Sequence, residues 1–96
     1  MIEFYDPRSG PGSKTSRAFE DWRQNQTGTG LVVNCRSAKS GMLHRAECGH
    51  FKFKPGEIVD MAEKRKICFN TQREYQDWER RGHGFAISRC ASCKPM

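Results

Sequence analysis

No stretch of this 96-residue sequence approaches the length of an apolar membrane span. Its start, Met1-Ile2-Glu3-Phe4-Tyr5-Asp6, has neither the basic region nor the apolar stretch of a signal peptide. An intracellular, cytoplasmic location is therefore expected. Apolar residues are scarce as well, at 35% of the chain with a mean hydropathy of -0.85. A purely apolar core would be thin, and a chain this small needs another staple. There is no phosphate-binding loop, because Gly12-Ser13-Lys14-Thr15 lacks the glycine before its lysine and no strand precedes it. No pair of carboxylates and no Cys/His dyad is placed for catalysis, so no enzymatic role is expected.

The staple is to be sought among the five cysteines. In a reducing compartment these are metal ligands or core residues more often than disulfides, and an odd count containing a Cys-x2-Cys run favours metal. Two ligand pairs stand out, His44-x3-Cys48 and Cys90-x2-Cys93, separated by 41 residues. Soft or borderline donors in two close pairs suit one tetrahedral zinc ion with a structural role. By spacing alone, His50 is an alternative to His44 as the imidazole ligand. Cys35 and Cys68 lie in apolar strand contexts and are expected in the core. His83, between Gly82 and Gly84, is expected to be an exposed loop histidine.

Periodicity and turn signals divide the chain into short elements. Residues 1–16 are expected as a flexible lead-in, turn-rich from Asp6 onward. Phe19 and Trp22 predict a helix from Ser16 to about Gln26, capped by Thr15 or Ser16 and ended by Gly28-Thr29-Gly30. Leu31–Cys35 and Met42–His44 read as hairpin partners, Phe51–Lys54 as an alternating strand stopped by Pro55-Gly56, and Lys66–Phe69 as a further strand. Thr71 with Glu74 makes a capping box for a helix carrying Tyr75 and Trp78 and ending at Gly82. Thr-x-Arg-x-aromatic-x-Asp-Trp occurs twice, from Thr15 and from Thr71, which we read as two instances of ordinary aromatic core packing. The fold class expected is α+β: a small zinc-stapled domain with a short antiparallel sheet and two short helices.

Charge is unevenly distributed. Residues 1–35 carry four basic and four acidic side chains, residues 36–96 carry 13 and seven, so the whole net +6 lies in the second part. Such an excess points to a polyanionic partner, with nucleic acid the commonest for an intracellular protein. Candidate phosphate contacts are Arg45, Lys52, Lys54, Lys64, Arg65, Lys66, Arg73 and Arg89. Lys52 and Lys54 share one strand face, and Lys64-Arg65-Lys66 concentrates three charges with no intervening acid. The alternative partner is an acidic protein, which would make the chain a zinc-stabilised protein-protein interaction adaptor.

Leu43-His44-Arg45-Ala46-Glu47-Cys48, a following strand, a helix with an aromatic stripe, a glycine and Cys90-x2-Cys93-Lys94-Pro95 together resemble the Ada-like zinc-binding domain. That domain is the metal-binding module of methylphosphotriester repair proteins and of related stand-alone modules. The resemblance spans Leu43 to Pro95, about half of the chain, and implies a single domain over residues 17–96. It also implies His44 as first ligand and DNA, including modified or damaged DNA, as the partner, often within a larger DNA-acting protein. His44 occupies the place of the family's methyl-accepting cysteine. Methyl transfer needs a metal-activated thiolate, so the resemblance does not carry methyl-acceptor activity to this chain.

Overall fold

A computed structural model describes residues 1–8, 13–49 and 64–95. The elements are β1 (Ile2–Phe4), α1 (Lys14–Asn25), β2 (Leu31–Cys35), β3 (Ser40–Arg45), β4 (Lys66–Phe69), α2 (Gln72–Arg81) and β5 (Ala86–Arg89). The strands form one sheet in the order β1-β4-β2-β3-β5. The fold class is α+β. Antiparallel pairing runs through β1, β4, β2 and β3, whereas β5 joins β3 in parallel. A parallel join needs a crossover connection, and α2 lies in the chain between β4 and β5.

Side-chain alternation divides the core between the two faces of the sheet. Val32 and Cys68 face α1 and pack with its Phe19 and Trp22. Leu31, Val33, Leu43, Ile67 and Phe69 face α2 and pack with Tyr75 and Trp78. Both aromatic pairs are thus used for packing, one on each face. Trp22 also reaches past the end of β4, where its Nε1–H donates to Asn70 Oδ1 at 2.8 Å, just before α2. The two remaining thiols behave as small apolar groups: Cys68 is fully buried and Cys35 nearly so. Burial pushes the Cys68 thiol well up from its ordinary pKa.

Two expectations about the N-terminal part differ from the structure. Ile2–Phe4 is a strand of the sheet, with Glu3 opposite Ile67 and paired with the Arg65 guanidinium. The turn-rich composition of the following residues says nothing about a three-residue edge strand ahead of them. In addition, α1 is capped by Ser13, whose Oγ accepts from Ser16 N–H at 3.0 Å, so Thr15 and Ser16 lie inside the helix. Phe51–Lys54 and Pro55-Gly56 lie outside the described residues.

The second helix follows its sequence signals closely. Thr71 Oγ1 accepts from Glu74 N–H at 3.3 Å, and Gly82 ends the helix at a positive φ of 77°. Glu74 returns its carboxylate to Asn70 N–H at 2.7 Å, one residue earlier than the usual reciprocal bond. Replacing the cap, Thr71→Ala, is expected to cost about 1 kcal/mol. Urea unfolding monitored by tryptophan fluorescence would measure it, and an unchanged midpoint would show that the cap contributes nothing.

Candidate metal centre

His44 is the next-to-last residue of β3. Its side chain points to the α1 face because Leu43 and Arg45 alternate with it, and it stands opposite Val32. The chain then turns sharply, with Cys48 N–H donating to Arg45 O at 3.0 Å, which brings Cys48 back under the strand end. The segment from α1 to β2 secures this turn. Ala46 N–H donates to Gly30 O at 2.9 Å, Gly28 N–H donates to Glu47 Oε2 at 3.0 Å, and the buried Arg23 donates to Ala46 O at 3.3 Å.

Cys90 enters from the strand next to β3. It directly follows β5, and its N–H extends the parallel ladder by donating to Leu43 O at 2.9 Å, so it sits beside His44. Lys94 N–H then donates to Cys90 O at 3.1 Å, closing the turn that returns Cys93 toward the same point. Arg45 staples this turn in place. Its Nε–H donates to Cys93 O at 3.0 Å, its Nη2–H to Lys94 O at 3.1 Å, and its backbone N–H to Cys93 Sγ at 3.3 Å.

The result is a single cluster in which the donor atoms of His44, Cys48, Cys90 and Cys93 all lie within 4.8 Å of one another. His44, Cys48 and Cys90 are buried and Cys93 is half-buried. The Cys48 and Cys90 sulfurs are 3.8 Å apart. A tetrahedral centre with metal–sulfur bonds of about 2.3 Å has edges of about 3.8 Å, so this pair needs no movement to share one ion. Three thiols and an imidazole exclude the hard cations, which require oxygen ligands. The four residues could hold one metal ion.

Electrostatics within the cluster favour a cation. Burial opposes ionisation of Cys90, yet the backbone N–H groups of Cys93 and Ser92, with help from the neighbouring thiols, draw its pKa down to about 6. Cys93 moves the other way, to about 12, through burial and through the sulfurs of Cys48 and Cys90 beside it. Without a cation, Cys90 and Cys93 therefore do not readily ionise together. A divalent ion removes that conflict by neutralising the sulfurs as they deprotonate.

His83 is not the exposed loop residue expected. Its ring stacks on Trp78 with centroids 3.7 Å apart and planes at 10°, its side chain is only 10% exposed, and its Nδ1 accepts from Phe85 N–H at 2.9 Å. The flanking glycines, both at positive φ, supply the turn that folds the ring back onto α2. His50 lies outside the described residues.

Among the described residues, the candidate phosphate contacts do not all lie on one face. Lys52 and Lys54 lie outside the described residues. Lys66 is 5% exposed, with its ammonium donating to Asn34 Oδ1 at 2.7 Å and to Lys64 O at 3.2 Å. It shares strand parity with Cys68 and so points to the α1 face, which removes it from a surface role. Arg45 is committed to the Cys93 turn. Arg73 is exposed on α2 and Arg89 on β5.

Lys64 and Arg65 do come together with a residue that sequence reading missed. With Arg36 they line a cavity of about 350 Å³ beside Tyr5 and Ser37. Arg36 follows β2 directly, and Cys35 N–H donates to Arg65 O at 2.9 Å. Since β2 pairs with β4, residues 29 positions apart become neighbours, and no local signal announces this. The chain matches no protein-family model, no curated protein and no solved structure.

Proposed function

We propose that His44, Cys48, Cys90 and Cys93 hold one zinc ion as a structural staple, in a module that resembles the Ada-like zinc-binding domain and binds DNA. The convergence of these four donors from two distant segments is the observation that carries the reading. Zinc suits a set of three thiolates and one imidazole, and it would tie the β3 turn to the segment after β5. With all four tetrahedral positions filled by protein, no site remains for an activated water, in keeping with a non-enzymatic role. His44 bound to metal has no free lone pair to accept a methyl group, so methyl-acceptor chemistry is not part of the proposal.

DNA binding is supported by the net charge of +6 and by Arg36, Lys64 and Arg65 around one cavity. Phosphate neutralisation by such groups releases counterions and makes affinity steeply salt-dependent. The test is metal content by mass spectrometry beside duplex binding across a salt series on the same sample. One zinc per chain and a falling affinity are expected. Arg36→Ala with Lys64→Ala should reduce the slope of log affinity against log salt by about 2, with zinc content unchanged. Arg65 is left intact in that variant because it holds Glu3 of β1. Duplex binding indifferent to salt, or an unchanged slope, would remove the cavity from the DNA-binding surface.

A further inference from the structure

β5 is an edge strand: among the described residues, only β3 pairs with it. Ala86 and Cys90 donate their N–H groups toward β3, at 2.7 and 2.9 Å. By alternation, the N–H and C=O groups of Ile87 and Arg89 point to the open side. Alongside that edge, open among the described residues, runs a groove of about 900 Å³ on the α2 face of the sheet. Phe85 and Ile87, both half-buried, form its apolar floor, and Tyr75, Glu79 and Arg80 of α2 form its wall. The wall is braced from within. Tyr75 donates to Glu79, Glu79 meets His83 Nε2 at 3.3 Å, and His83 is stacked on Trp78.

An open strand edge beside a helix-walled apolar groove is the geometry that accepts an added strand, where main-chain bonds give affinity and alternate side chains give selectivity. The charge of the groove chooses among peptides. Its one carboxylate, Glu79, is engaged by Tyr75 and His83 and lies within electrostatic reach of Arg89. Its two guanidiniums are Arg89, which is exposed, and Arg80, which keeps 72% of its side chain exposed despite pairing with Asp77. We propose that this edge and groove bind an extended peptide of alternating acidic and apolar residues as a strand added beside β5. Apolar side chains of the peptide cover Phe85 and Ile87, and its carboxylates meet Arg80 and Arg89. This surface is distinct from the metal cluster, which lies on the α1 face.

The test uses the metal-loaded full chain and a short capped peptide alternating glutamate with valine. Amide signals of Ile87 and Arg89 should shift on titration, and exchange of those two N–H groups should slow. Arg80→Glu with Arg89→Glu should weaken binding by roughly tenfold or more and turn the preference toward a lysine–valine peptide. Both side chains are exposed, and an unchanged melting midpoint would show that the variant is folded. Arg80→Gln with Arg89→Gln should fall between wild type and reversal. Equal binding of the lysine–valine peptide to wild type, or of a backbone N-methylated peptide, would overturn the proposal. So would the absence of any shift at Ile87 and Arg89. Protection of these amides that grows with protein concentration alone would overturn it in favour of a second copy of the chain.

Discussion

If the four residues hold zinc as proposed, treatment with a chelator, or replacement of Cys90 or Cys93 with serine, is expected to abolish cooperative melting. The reason lies in how little else holds β5 and the turn beyond it. β5 is four residues long, mostly exposed, and among the described residues joined to the sheet only through β3. Beyond it the chain is fixed by the Cys90 and Lys94 turn bonds and by the Arg45 staple. A structural zinc supplies folding free energy of about 10 kcal/mol or more, comparable with the whole stability of a small domain. Near-UV circular dichroism during chelator titration, with calorimetry before and after, measures the effect. Cys68→Ser is the control, since that thiol is in the core and outside the cluster, and it should keep a cooperative transition. Acid acts in the same direction as chelation, because each thiol must lose its proton to bind a metal ion, so affinity falls as the pH falls. A melting profile identical with and without chelator would sink the structural role.

Asn34→Leu is expected to cost about 2 to 3 kcal/mol, and Lys66→Met about 1 kcal/mol or less. Asn34 and Lys66 face each other across β2 and β4, with Asn34 Oδ1 accepting from Nζ at 2.7 Å. The ammonium lies 6.0 Å from the Phe19 ring centre, in an otherwise apolar layer. Removing the amide oxygen leaves a buried charge short of an acceptor, which incurs a desolvation cost. Removing the charge instead leaves a half-buried amide within reach of water and an apolar chain of similar length over Phe19. Urea unfolding of both single variants and the double variant gives the coupling directly. Equal costs for the two single changes would show that the burial of Lys66 carries no electrostatic penalty.

The contrast at Lys66 shows where sequence reading stops. In the chain it belongs to Lys64-Arg65-Lys66, a run of positive charge that reads as surface. In the fold its parity with Cys68 turns it inward beneath α1, Arg65 turns to Glu3, and Lys64 remains the most exposed of the three. A charge run states how many cations there are, not which face each one takes.

What was legible in the sequence is what short-range physics fixes. The Thr71 cap, the Gly82 stop, the strand Lys66–Phe69, the aromatic pairs and the two ligand pairs each depend on spacing within a turn or a strand. Long-range pairing was not legible in the same way. The parallel seating of β5 on β3, which brings Cys90 beside His44, depends on the crossover through α2. The strand Ile2–Phe4, the cavity of Arg36 with Lys64 and the stacking of His83 on Trp78 likewise arise from contacts between separated segments. Spacing along the chain encodes helix and strand periodicity, caps and chelating pairs. Which edge a strand joins, and whether a long cationic side chain is buried or exposed, follow from the simultaneous packing of both faces of the sheet.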